Sequence, residues 1–108
     1  MAFLLRTGDD REIRDPSPEA IAALIQAVPG GDDSFLVLAP EQDELTYIQA
    51  IGSPAEGFAV EYQEGALDQH FECAIQPLPT EHVVLAFQAY LRGDDVWKTA
   101  LTWRRMQL

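Results

Sequence analysis

Apolar and polar positions in the first third of the chain predict a hairpin followed by a helix. Residues 3–6 and 11–14 have the composition of short strands, and a polar turn separates them. The helix is predicted to begin after Ser17, which suits an N-cap, with Pro18 at the first helical position. Apolar residues then recur at the spacing of one helical face, before a Pro-Gly-Gly stop: Ile21, Leu24, Ile25 and Val28.

Four more strands are predicted in the next forty or so residues. Residues 35–39 are apolar throughout, which is typical of a central strand covered on both faces. Residues 45–51, 58–63 and 70–75 instead alternate between apolar and polar, which predicts half-buried strands. The connections between these four segments are short and rich in turn residues, as antiparallel hairpins require.

The last third of the chain predicts a second helix and a C-terminal segment with two possible structures. Thr80 is predicted to be the N-cap of this helix, and Gly93 is predicted to end it. Residues 101–106 alternate weakly and predict a last strand, while a short helix around Trp97 is the alternative. The second helix has a core face formed by Val83, Val84, Phe87, Tyr90 and Leu91.

Together these elements predict an α+β fold in a single domain that spans residues 1–108. Strands outnumber helices, and each helix has one apolar face that must cover something. We therefore expect one mostly antiparallel sheet of about five to seven strands, with two helices packed on one of its faces. The other face is left open, and Glu61 and Glu72 are expected to lie on it, on neighbouring strands.

The charge of the chain is strongly negative and unevenly distributed. Its 18 Asp and Glu residues outnumber 7 Lys and Arg residues, which gives a formal net charge of −11. This excess excludes a protein that binds the nucleic-acid backbone and argues against docking on an anionic membrane, since both need clustered cations. Residues 15–91 hold 13 of the acidic residues and no Lys or Arg. These carboxylates must therefore meet the basic residues of the chain ends, solvent or a basic partner.

No group of residues in the sequence indicates catalysis, a cofactor or a metal site, and we expect a protein that is not an enzyme. Cys73 is the single cysteine, and its place on the apolar side of a strand predicts a buried side chain without a disulfide. His70 and Glu72 share the polar side of that strand, but a third metal ligand is missing nearby. The apolar start of the chain ends at Arg6, too soon for a secretory leader, which predicts a cytoplasmic location.

The acidic middle of the chain instead favours a docking surface for a basic protein. No cation lies near these carboxylates in the sequence, so the cations of a partner are expected to offset them. A solvated outer face of the sheet is the alternative interpretation. The expected contact residues are six carboxylates in and beside the hairpin strands: Asp43, Glu44, Glu61, Glu64, Asp68 and Glu72.

The order of the later elements resembles that of a known protein family. The segments that carry the resemblance are the strands at residues 46–50 and 58–62, the helix at residues 81–91 and the motif Leu101-Thr102-Trp103. They are similar to the first-described immunity-protein family of bacterial polymorphic toxin systems, whose members neutralise deaminase-type toxins. The resemblance implies a small cytoplasmic α+β protein that binds its cognate toxin tightly and blocks the active-site cleft. Such toxins act on nucleic acid or nucleotides, and their clefts are often basic.

Three functions are therefore expected, in this order. The first is an immunity or inhibitor protein that binds a basic toxin through an acidic surface. The second is a non-enzymatic adaptor or regulatory domain that uses the same surface on another basic protein. The third is a small-molecule-binding domain, which requires a pocket lined by convergent polar groups.

Overall fold

Seven antiparallel strands form one sheet, and three helices accompany it, which confirms the α+β prediction. The computed structural model describes residues 2–31 and 34–106. Within these ranges the strand order is β2-β1-β3-β4-β5-β6-β7. The strands are β1 (Phe3–Thr7), β2 (Glu12–Arg14), β3 (Phe35–Pro40), β4 (Thr46–Ser53), β5 (Gly57–Glu64), β6 (His70–Cys73) and β7 (Trp103–Arg105). The helices are α1 (Pro18–Gln26), α2 (Thr80–Arg92) and α3 (Val96–Ala100).

The strand register separates a covered face of the sheet from an open one. Leu5, Leu38, Ile48 and Tyr62 lie opposite one another on four adjacent strands, and all four are buried. Among the described residues, every buried apolar side chain of a strand lies on this covered face. The two long helices pack there, as predicted, and complete the core with Ile21, Ile25, Val83 and Phe87.

The two long helices begin in different ways. Ser17 caps α1 as predicted, because its Oγ accepts a hydrogen bond from the Ala20 N–H at 3.0 Å. The prediction of Thr80 as an N-cap is wrong, because Thr80 is the first residue of α2 and Pro79 takes the N-cap position. The Pro79 carbonyl accepts from the His82 N–H at 3.1 Å, so the main chain itself closes the first turn.

The C-terminal segment contains both of the structures that its sequence allows. The short helix α3 places Trp97 in the core, where it is 5% exposed, and β7 then extends the sheet. The ring of Tyr62 lies close to both indoles, at centroid distances of 4.8 Å from Trp97 and 4.7 Å from Trp103. Trp103 is half-buried against the same core. This segment therefore closes the covered face over β5 and β6.

Candidate functional site

The turn after β3 and the turn after β5 lie side by side at one end of the sheet. Thr46 at the start of β4 is paired with Glu64 at the end of β5, and the Gly65 N–H donates to the Leu45 carbonyl at 3.0 Å. Asp43 holds the first of these turns, because its carboxylate accepts from the Leu45 N–H at 2.9 Å and from the Thr46 hydroxyl at 2.7 Å. Four predicted contact residues share this end of the sheet: Asp43, Glu44, Glu64 and Asp68.

The turn between α2 and α3 reaches the same end from the helix side and leaves a cleft of about 190 Å³. The rings of Phe3, Tyr90 and Trp97 line this cleft, together with the carboxylate of Glu64 and those of the helix–helix turn. We call the six carboxylates of these three turns the acidic end: Asp43, Glu44, Glu64, Asp68, Asp94 and Asp95.

One ammonium group already lies in this cleft. Lys98 Nζ is 2.5 Å from Glu64 Oε1 and 5.4 Å from the centroid of the Trp97 ring. Burial by itself lowers the pKa of Lys98, but the hydrogen bond and charge of Glu64, with the charge of Asp95, outweigh burial and raise this pKa above its ordinary value. Aromatic faces beside carboxylates are the surroundings that stabilise a cation.

A phenol without a partner lines the same cleft. The hydroxyl oxygen of Tyr90 is buried and accepts or donates no hydrogen bond among the described residues. Burial raises the pKa of Tyr90, and the charges of Glu64 and Asp43 raise it further. Tyr90 therefore stays neutral, and its ring centroid lies 5.5 Å from that of Trp97.

Basic residues from the two ends of the chain neutralise part of its acidic middle. Three ion pairs join the ends to the middle: Arg14 with Glu41 at 2.9 Å, Lys98 with Glu64 at 2.5 Å, and Arg104 with Glu72 at 2.8 Å. For these three carboxylates, the basic residues of the chain ends are the partners, which was one of the three expected alternatives.

Two predicted contact residues lie on the open face, each beside a basic side chain of this protein. Glu61 and Glu72 are directly opposite each other on β5 and β6. His70 Nε2 lies 2.7 Å from Glu61 Oε1, and an Arg104 nitrogen lies 2.8 Å from Glu72 Oε1. The expectation that no nearby cation offsets the open-face carboxylates is wrong for Glu72, because β7 pairs with β6 and places Arg104 directly opposite it.

Four of the nine described carboxylates that form no salt bridge lie at the acidic end: Asp43, Glu44, Asp68 and Asp95. All four are exposed. The other two members of the acidic end are held there, Glu64 by Lys98 and Asp94 by Arg92. Beside Asp68, the Arg105 Nε–H donates to the main-chain carbonyl of Asp68 at 2.9 Å, so a cation also lies near that turn. Of the six predicted contact residues, three therefore have a basic side chain at their carboxylate and three do not.

Sequence reasoning misses the α2–α3 turn as part of the site. Asp94 and Asp95 are typical turn residues, and Asp94 does hold the turn, because its Oδ1 accepts from the Val96 N–H at 3.0 Å. The available signal was a pair of carboxylates just after Gly93, at the end of a helix. The pair joins the other acidic turns only because α2 ends over the starts of β1 and β4.

The remaining candidates for chemistry are occupied or buried. Among the described residues, no group of three or more His, Cys, Asp or Glu side chains is arranged to hold a metal ion. Both ring nitrogens of His70 are engaged, Nδ1 with Gln63 at 3.1 Å and Nε2 with Glu61. Cys73 is buried, as predicted. No described helix is long and apolar enough to cross a membrane.

Comparisons with protein-family models, with curated proteins and with solved structures find no match for this chain.

Proposed function

We propose that this protein is an immunity protein that binds a basic toxin through the acidic end and blocks the active site of that toxin. The observation that carries the proposal is the grouping of four exposed carboxylates without a described salt bridge on three turns at one end of the sheet, where Asp95 lines the aromatic cleft. Unpaired charges of one sign attract an oppositely charged partner over a distance and favour its binding. A toxin that acts on nucleic acid needs cations near its active site, and the acidic end would occupy that site in place of phosphates.

The cleft at the acidic end suits a Lys or Arg side chain of the partner. Its lining presents the rings of Phe3, Tyr90 and Trp97 beside carboxylates, and a cation over an aromatic ring gains about 0.5–2 kcal/mol. Lys98 already makes this kind of contact, with its Nζ 5.8 Å from the centroid of the Tyr62 ring. A cation from the partner would meet the unpaired carboxylate of Asp95 at the mouth of the same cleft.

The family resemblance supports the same class of partner. Its segments include β4, β5 and α2, whose ends carry Glu64 and the aromatic residue Tyr90. A protein that neutralises a nucleic-acid-acting toxin is needed where the toxin acts, so we place this one in the cytoplasm. An adaptor for another basic protein would use the same acidic end, and the identity of the partner separates the two functions.

The proposal is tested with the product of the neighbouring gene as the candidate toxin. Co-expression is expected to rescue the host from toxicity and to yield a complex on affinity purification. The triple variant Glu44→Gln/Asp68→Asn/Asp95→Asn replaces three unpaired carboxylates with amides of the same shape and leaves Asp43 to hold its turn. We expect it to weaken the complex at least about 30-fold at low salt, because close interfacial charge pairs contribute on the order of 1 kcal/mol or more each.

A matched control removes three unpaired carboxylates elsewhere on the molecule, in the variant Asp10→Asn/Glu56→Gln/Glu81→Gln. It changes the net charge equally, and its affinity is expected to fall less than about threefold, since distant exposed charges are screened. Equal losses of affinity in the two variants would mean that the overall charge, and not the acidic end, determines binding. Full rescue by the acidic-end variant would overturn the placement, and tight binding to a non-toxic basic protein would favour the adaptor instead.

A further inference from the structure

The open face of the sheet carries a row of residues whose charges have opposite order at its two edges. The register places one residue of each strand directly opposite the next across all seven strands. From the β2 edge to the β7 edge the row is Glu12, Arg6, Val37, Gln49, Glu61, Glu72 and Arg104. Read inward from the β2 edge, the row begins with the acid Glu12 and then the base Arg6. Read inward from the β7 edge, it begins with the base Arg104 and then the acid Glu72.

We propose that a second copy of this chain packs on the open face, related by a two-fold axis that runs along β4 through Gln49. A half-turn about this axis keeps positions along the strands and reverses their order across the sheet. Arg6 then faces Glu72 of the partner subunit, and Glu12 faces Arg104 of the partner subunit. Opposite charges meet at both edges, and the contact is the same on both copies, as a two-fold interface requires.

The net charge of the protein also favours this face. Two molecules that each carry −11 approach most easily through surfaces that are themselves balanced. The described strands place three arginines and three glutamates on the open face: Arg6, Arg14 and Arg104 with Glu12, Glu61 and Glu72. Asp43 and Glu44 border this face, where they line one cavity with Arg6 and Tyr47, while Asp95 lies in the aromatic cleft on the helix side.

The centre of the open face, around the proposed axis, combines apolar and polar residues. Gln49 lies on the axis between Val37 and Glu61, so Val37 faces Glu61 of the partner subunit, whose carboxylate is bound by His70 of its own chain. Beside them on β4, Ile51 is 43% exposed and Tyr47 is partly exposed. The most exposed charges lie at the edges, with Arg6 and Glu12 at 61% and 58%, as in the polar rim of a protein interface.

The dimensions of the open face fit a dimer of modest stability. Seven strands spaced about 4.8 Å apart make a face about 29 Å wide, and an average of about five residues per strand makes it about 17 Å long. Packing two such faces removes on the order of 1,000 Å² from water, at the low end for specific interfaces, which predicts a micromolar dissociation constant. The edge strands β2 and β7 are three residues long and charged, which disfavours growth beyond the dimer.

Sedimentation and cross-linking test the dimer without any toxin, so its failure and the failure of toxin binding are separate results. Analytical ultracentrifugation from about 1 µM to about 500 µM is expected to show a reversible monomer–dimer equilibrium. Gln49→Cys places a cysteine of each copy on the axis. Packed sheets lie about 10 Å apart, which is too far for a disulfide, so a short bismaleimide is expected to link the two cysteines. Glu81→Cys, exposed on α2, is the matched control, and Cys73 is buried in both variants. A monomer up to about 500 µM, or equal linking through both cysteines, overturns the proposal.

Charge reversal tests the predicted orientation. Arg6→Glu and Glu72→Arg are each expected to raise the dimer dissociation constant at least about tenfold, because like charges then meet across the interface. The double variant restores opposite charges and is expected to recover most of the affinity. Circular dichroism shows whether each variant is folded. If a charge reversal unfolds the chain, the neutral variants Arg6→Gln and Glu72→Gln are used for the same measurement of the dimer dissociation constant. Folded single variants without effect, or a double variant that does not recover, overturn the orientation.

Discussion

Glu61 on β5 and Glu72 on β6 lie directly opposite each other, and each carboxylate has a different basic partner, His70 for Glu61 and Arg104 for Glu72. Like charges at opposed positions of an antiparallel pair are destabilising unless they are compensated. The His70 side chain beside Glu61 is 11% exposed, whereas the Arg104 side chain beside Glu72 is 61% exposed. Because water screens the second pair much more than the first, the two pairs are expected to contribute unequally to stability.

Removal of His70 is expected to destabilise the fold more than removal of Arg104. His70→Ala leaves the shielded Glu61 carboxylate without its donor, which costs about 1–3 kcal/mol of unfolding free energy. Arg104→Ala breaks an exposed pair that contributes about 0–1 kcal/mol. Urea unfolding measures both values, and His70→Ala/Glu61→Gln should recover part of the first loss. Equal costs for the two single variants would contradict the role given to burial.

Lys98 is expected to stabilise the protein at neutral pH and to lose this effect in alkali. Folding raises the pKa of Lys98. The contribution of Lys98 to the free energy of unfolding is therefore complete below its unfolded-state pKa of about 10.4, and it is lost as the pH rises through the higher folded-state pKa. Lys98→Met should therefore lower the unfolding free energy by up to about 1 kcal/mol near neutral pH and by less above about pH 11. Denaturant unfolding at the two pH values checks this, with Glu64→Gln as the partner variant. A difference that does not change with pH would rule out the ion pair as its source.

Replacement of Tyr90 by phenylalanine is expected to be neutral or stabilising. A buried hydroxyl without a hydrogen-bond partner costs free energy, so Tyr90→Phe should raise the unfolding free energy by up to about 1 kcal/mol. Burial raises the pKa of Tyr90 above its unfolded-state pKa of about 10. The wild type therefore loses stability as the pH rises from the unfolded-state pKa through the folded-state pKa, and Tyr90→Phe removes this loss. Unfolding near pH 7 and above about pH 10.5 measures both effects. A clearly destabilised Tyr90→Phe variant would show that the hydroxyl forms a stabilising hydrogen bond in the folded protein.

Two glycines with the same backbone conformation are expected to tolerate alanine very differently. Gly57 has φ +83°, and a Cβ there would lie 2.6 Å from the Cβ of Pro77, whereas Gly65 has φ +79° and open space around it. Gly65→Ala should cost about 1 kcal/mol through backbone strain alone. Gly57→Ala should cost about 1–3 kcal/mol more, because the added methyl group displaces packed atoms. Thermal or urea unfolding compares the two, and equal losses would mean that strain, not packing, sets the cost at Gly57.

The elements that depend on local patterns are the ones that the sequence predicts. One apolar stripe and the cap at Ser17 are sufficient for α1, and the alternation of apolar and polar residues is sufficient for the hairpins from β4 to β6. The residue type of Thr80 predicts a cap, but the extended backbone of Pro79 allows the helix to begin with Thr80 itself. Whether the segment after Gly93 forms a helix or a strand depends on packing against Tyr62, which no local pattern contains.

The acidic end could be predicted only in part, for the same reason. Asp43 and Glu64 come together because hairpin register follows from local alternation and turn length. Asp95 joins them through the packing of α2 and α3 against the sheet, which is a tertiary arrangement. The pairing of Arg104 with Glu72 likewise depends on β7 joining the edge of the sheet beside β6, far from Glu72 in the chain.

Two of the compensating cations and both indoles of the aromatic cluster belong to one short segment, residues 97–104. Removal of this segment would leave Glu64 and Glu72 without either cation and Tyr62 without either indole. A chain truncated after α2 should therefore be poorly folded and sensitive to protease, because one cut removes charge compensation and core packing together.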